Sequence, residues 1–160
     1  SCLSTTAKTA EEGPWVDPKR FTVQNDGGGS VSDFKVALTY FKKNSSAFAI
    51  SGYCASACTL LLSREYSLDV CVQKDVRFGF HKPFAMDVMG VVANQIPYIY
   101  RSEQMWTEEF LKKYPEWLQS AIKARGDVPA AIQGDKPNDL MWFSYEDVRR
   151  FIKTCIPKAS

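Results

Sequence analysis

Two residues in this chain have the chemistry of a nucleophile and its base, and each stands where a strand should end. Ser56 closes Gly52-Tyr53-Cys54-Ala55-Ser56, after the apolar strand predicted over Ala47–Ser51. Ala57-Cys58-Thr59-Leu60-Leu61-Leu62 follows and reads as a buried helix. A serine at such a junction has its hydroxyl at a helix N-terminus, where successive backbone N–H groups face any developing negative charge. Its neighbours Ala55 and Ala57 are small and leave room for a substrate. The segment is not the G-x-S-x-G elbow, because Cys54 and Cys58 take the glycine positions. A plain helix cap would use serine in the same way. His81 is the sole histidine, so any histidine chemistry falls to it. An imidazole suits the removal of a hydroxyl proton near neutral pH. Such a base needs an orienting carboxylate on its other nitrogen; Asp139 is the first choice, with Asp135 as fallback.

Gly27-Gly28-Gly29 is a third feature. Glycines between a strand and a helix present backbone N–H groups to an oxyanion or a phosphate. Neither a dinucleotide fingerprint nor a phosphate-loop lysine accompanies them, so no cofactor is expected. The five cysteines are Cys2, Cys54, Cys58, Cys71 and Cys155. With His81 they contain a ligand set that zinc accepts, but the spacing fits no common zinc motif and no metal is expected. A disulfide among Cys54, Cys58 and Cys71 fits better. Cys58–Cys71 would tie the helix after Ser56 to the next strand, and Cys2–Cys155 would join the two ends. Alternatively Cys2 is an acylated, lipid-anchoring cysteine, which leaves an even four. This cysteine density favours an oxidising compartment, periplasmic or secreted.

The elements that must position these groups read as follows. Residues 1–18 are polar and turn-rich and form a flexible arm; residues 19–160 form one domain. Arg20–Gln24 alternates as a strand and runs into the glycine loop. Ser30 with Asp33 fits a capping box, and Val31, Phe34, Leu38 and Phe41 recur at helical spacing up to Lys42-Lys43-Asn44. Asp69–Val72 is a short strand. Val76, Phe78 and Phe80 alternate in another that ends at His81, before Lys82-Pro83. Residues 84–134 are mainly helical, broken at Pro115 and stopped at Gly126; Trp106 and Trp117 there read as core, as do Tyr98 and Tyr100. Ser144-Tyr145-Glu146-Asp147 opens a last helix with Val148, Phe151 and Ile152 inward. Strand–helix alternation predicts an α/β fold with a mainly parallel sheet and flanking helices. In such sheets, sites form beyond the carboxyl ends of the strands, where the glycine loop, Ser56 and His81 all fall.

Composition agrees. Of 160 residues, 45% are hydrophobic and 24% charged, which excludes a disordered chain. Twenty basic against eighteen acidic residues leave a net charge of +2, too balanced for nucleic acid as the main partner. No apolar run is long enough for a transmembrane helix.

Three segments, in order, carry a family resemblance: Asn25-Asp26-Gly27-Gly28-Gly29-Ser30-Val31, then Gly52-Tyr53-Cys54-Ala55-Ser56-Ala57, then Gly79-Phe80-His81-Lys82-Pro83. Together they resemble the proteolytic subunit of the Clp protease, in the ClpP/crotonase superfamily, and more closely its exported, cysteine-containing bacterial relatives. The resemblance covers residues 20 to about 85 well and 135–152 weakly. It implies a superhelix of ββα units and serine-type hydrolysis of a peptide or protein. By it, Ser56 is the nucleophile, His81 the base and Asp139 the acid. The Gly28 or Gly29 N–H, with that of Ala57, forms the oxyanion hole. Only about 20 residues precede the glycine loop, which suits a monomer, a small homo-oligomer or a complex with a protein partner better than a large ring. The runner-up is an inactive member of the same fold acting as a binding protein, of inhibitor or immunity type. A crotonase-like thioester chemistry is less favoured, since no basic cluster for a coenzyme A phosphate is evident.

Overall fold

In the computed structural model the described residues are 20–83, 96–130 and 139–157. The expected arm 1–18, Cys2 and Asp135 lie outside them. The chain divides into two compact units, residues 1–79 with 142–160, and residues 80–141.

The sheet has five strands: β1 (Phe21–Asp26), β2 (Ala47–Ala55), β3 (Asp69–Val72), β4 (Arg77–Phe80) and β5 (Met141–Ser144). Their order is β1-β2-β4-β5, with β3 also on β2. β1, β3 and β4 all pair with β2 in parallel, so the predicted mainly parallel α/β sheet is present. β2 is longer than expected and is shared along its length. Ala47–Ile50 pair with β3, and Tyr53–Ala55 pair with β4. Residues 47–50 are buried without alternation, as suits a strand covered on both faces.

α1 (Val31–Lys43) runs from β1 to β2. Ser30 caps it, its side chain accepting from the Asp33 N–H, and Phe34 and Leu38 are fully buried. Phe41 joins Phe21 and Phe48 in an aromatic cluster with centroids 5.1–5.7 Å apart. After β2 a 3₁₀ turn covers Ser56–Leu62, buried from Ala57 on, where the sequence predicts a helix.

Residues 153–155 lie along β3. The Val72 N–H donates to the Lys153 carbonyl, and the Cys155 N–H donates to the Val72 carbonyl. The Cys71–Cys155 disulfide fastens this segment. Arg20, almost wholly buried, donates through Nη1 to the Phe48 carbonyl and to Asp69, which also meets Lys153 at 2.7 Å. Burial alone would raise the Asp69 pKa, but hydrogen bonds from Lys153 and Arg20 outweigh it and hold it below the ordinary aspartate value. Asp69 therefore releases its proton more readily folded than unfolded. The stability it adds is complete above about pH 4 and is lost as pH falls through the lower, folded value. Asp69→Asn should cost about 1 kcal/mol at pH 7, the carboxylate being partly exposed and screened. Urea titrations should show that difference shrinking towards zero at strongly acid pH.

β5 is an element the sequence does not predict. Gly79 on β4 packs on the Trp142 ring, where a Cβ would come 2.8 Å from it, and Arg77 lies over the same ring at 4.9 Å. α4 (Tyr145–Val148) starts with the anticipated Ser144–Asp147 capping box. It lasts only one turn. Val148 and Ile152 point inward as expected, but Phe151 is 54% exposed, because the helix ends before it can share their face.

In the second unit, α2 (Ile96–Met105) widens into a π-helical turn over Trp106–Phe110 and tightens over Leu111–Lys113 before Pro115. α3 (Glu116–Arg125) then ends at Gly126, as predicted. Phe80, Trp106, Phe110 and Tyr114 form its aromatic core. Trp106 is core as expected, whereas Trp117 is only half-buried.

Candidate active site around Ser56

The junction between β1 and its loop is irregular in both paired strands. Gln24 lies opposite Ser51, and Asp26 opposite Cys54, so Asn25 alone faces Gly52 and Tyr53. Asn25 has φ 51° and its Oδ1 accepts from the Tyr53 N–H at 3.1 Å. Gly52 has φ +64°, and a Cβ there would overlap the Asn25 amide. This bulge ends β1 at Asp26, which is 1% exposed.

Ser56 follows Ala55, the last residue of β2, and begins the 3₁₀ turn. Its φ is +56°, left-handed for a residue with a side chain. Such a backbone costs about 1–3 kcal/mol and is kept only where the surroundings enforce it. Three features do so here. Cys54 and Cys58, two residues to either side, are joined in a disulfide with Cα atoms 5.3 Å apart. The buried Thr59 hydroxyl donates to the Ser56 carbonyl at 2.6 Å. The glycine loop packs directly on the turn. A Cβ on Gly28 would stand 2.8 Å from the Ala55 carbonyl, and 2.9 Å from the Ala57 nitrogen and from Ser56 Cβ. Ser56 itself is half-buried.

Gly28, Ser56 and Ala57 are thus brought together within the first unit, and Gly29 is the next, exposed loop residue. The Gly28 N–H, one of the two loop amides offered for an oxyanion, donates to Asp26 Oδ1 at 2.9 Å. Gly28→Ala should be severely destabilising. A Cβ at φ +94° adds backbone strain to overlap with two main-chain atoms, together about 2–5 kcal/mol. Gly27→Ala, whose Cβ would meet only the edge of Tyr53 at 3.9 Å, should change stability by less than about 0.5 kcal/mol. Paired thermal melts check both.

Compared with known proteins, the chain matches no family model, no curated protein and no solved structure. Its chemistry must therefore be read from its own residues.

His81 follows β4 and is half-buried; Asp139 is exposed. Both belong to the second unit. The chain beside His81 is firmly held there. The Lys82 N–H donates to the Pro129 carbonyl, and the buried Lys82 Nζ meets Glu103 at 2.6 Å and Asp127 at 2.8 Å. Burial disfavours the ammonium, but these two carboxylates more than offset that and hold its pKa above the ordinary lysine value. Lys82 is accordingly a charged anchor at neutral pH and no rival to His81 as a base.

A bridge does form among Cys54, Cys58 and Cys71, but it joins Cys54 to Cys58, and neither Cys58–Cys71 nor Cys2–Cys155 is made. Cys71 bonds Cys155. Cys71 lies beside Ala49, six residues before the end of β2, while Cys58 lies beyond that end. Cys58 is held at Cys54, five residues of β2 beyond the Ala49 level, and at about 3.3 Å per residue that is roughly 16 Å along the strand, beyond the span of a disulfide. Cys155 is consumed by Cys71, which removes the Cys2–Cys155 bridge. Among the described residues no cluster of histidine, cysteine and carboxylate groups could hold a metal ion. Sequence reasoning missed Asp26 and Thr59 as parts of this site. An aspartate two residues before a glycine with positive φ is the signature of a side-chain turn, and was the available signal for Asp26.

Proposed function

We propose that the chain is a serine hydrolase, of peptidase type, with Ser56 as nucleophile, His81 as general base and Asp139 orienting the imidazole. The observation that carries this is the left-handed Ser56 at the carboxyl end of a central parallel strand, with the glycine loop packed against its turn. Residues held in unfavourable backbone conformations concentrate at active sites. The choice of base rests on His81 being the sole histidine, with an imidazole suited to take a hydroxyl proton near neutral pH. In the reaction the imidazole takes the Ser56 proton as Oγ attacks the carbonyl. The loop and Ala57 amides stabilise the oxyanion, and the imidazolium returns the proton to the leaving amine. Water then releases the acyl group by the same route in reverse.

Labelling by a fluorophosphonate probe, with Ser56→Ala as control, tests the proposal; an unlabelled native protein overturns it. One observation favours a second reading. The Gly28 N–H is turned to Asp26 rather than outward, as suits a protein that keeps the fold to bind a partner without chemistry. In that case the probe leaves Ser56 untouched while a protein partner is retained.

The two disulfides fit a secreted or periplasmic protein. Among the described residues no helix is long and apolar enough to cross a membrane. We place the protein's substrates, peptides or proteins, in that oxidising compartment.

A further inference from the structure

We infer that Asp26 is a positioning residue that fixes the glycine loop on the Ser56 turn. The inference rests on the hydrolase reading above. Asp26 is 1% exposed, where a carboxylate is costly unless it is hydrogen-bonded. It accepts the Gly28 N–H, closing the loop two residues on, as an aspartate turn does. That bond sets the place of the Gly28 α-carbon, which fits the Ala55–Ala57 backbone with no room for a Cβ. The carboxylate therefore sets the distance between loop and nucleophile.

The experiment uses the full, oxidised chain with Asp26→Asn and Asp26→Ala, reading fluorophosphonate labelling at Ser56 and hydrogen exchange at the Gly28 amide. An asparagine oxygen can accept the same bond, whereas alanine cannot. Asp26→Ala should lose roughly ten- to a hundredfold in labelling rate through misplacement of the loop. Asp26→Asn should stay within about threefold of native, with Gly28 exchange fast in the alanine variant and slow in the asparagine variant. Labelling of Asp26→Ala at or above the native rate overturns the inference, since the carboxylate would then be a plug. Equal losses in both variants overturn it too, because charge and not the turn would matter. Should Asp26→Ala not fold, Asp26→Asn decides alone by the same threefold limit. If even the native protein is unlabelled, the hydrolase reading falls; the Gly28 exchange pattern then still decides whether Asp26 holds the loop.

Discussion

Ser56→Ala should abolish covalent labelling and reduce hydrolysis by about 10⁵–10⁶-fold, with the fold intact. Ser56 stands between β2 and the turn on which the glycine loop packs. What remains should be the modest catalysis of the oxyanion donors alone. The substitution also removes only an oxygen from a half-buried site, so melting temperature should hardly move. His81→Ala should lower activity comparably and nearly non-additively with Ser56→Ala, since the two act as a unit. Retention of more than a few per cent of activity by Ser56→Ala would move the nucleophile elsewhere. Burst kinetics with an activated ester, on matched protein, makes the measurement.

The second large effect concerns stability. Replacing Cys71 and Cys155 together by serine should cost about 4–5 kcal/mol. Their bridge closes a separation of 84 residues, and the entropy removed from the unfolded chain grows with loop length. That is a large part of the 5–15 kcal/mol typical of a whole domain, and corresponds to roughly 10–20 °C in melting temperature. Removing Cys54–Cys58, with a separation of only 4, should cost about 2 kcal/mol. Denaturant titration of the two double variants checks the order. If the short bridge proves the costlier, it does more than close a loop, and its hold on the Ser56 turn is the reason.

Local patterns in the chain were sufficient for β1, α1, the Ser56 junction and the strand leading to His81. Each rests on contiguous signals: alternation, a cap at Ser30, or glycines before a helix. β5 escaped because Met141–Ser144 is too short to show a period, and becomes a strand only by pairing with the sheet. The disulfides escaped for a related reason. Cys71 finds Cys155 because β3 takes residues 153–155 along its side, a register that no local spacing encodes. Phe151 looked buried because helical periodicity was carried past Val148, where the helix stops. Asp26 sits in the polar loop segment of the sequence; that it is buried next to the single irregularity between β1 and β2 is a matter of strand pairing, which no local pattern encodes.

The first unit is assembled from two stretches of chain, residues 1–79 and 142–160, with the second unit between them in sequence. A ribosome delivers these stretches in order, at about 5–20 residues per second, so the earlier one waits roughly 3–12 s for the later. Throughout that interval β3 lacks residues 153–155 and Cys71 lacks its mate. A nascent chain crossing into an oxidising space could then join Cys71 to a nearer cysteine. An oxidoreductase able to reshuffle such a bond would raise the yield of correctly paired protein, and expression hosts should be chosen accordingly.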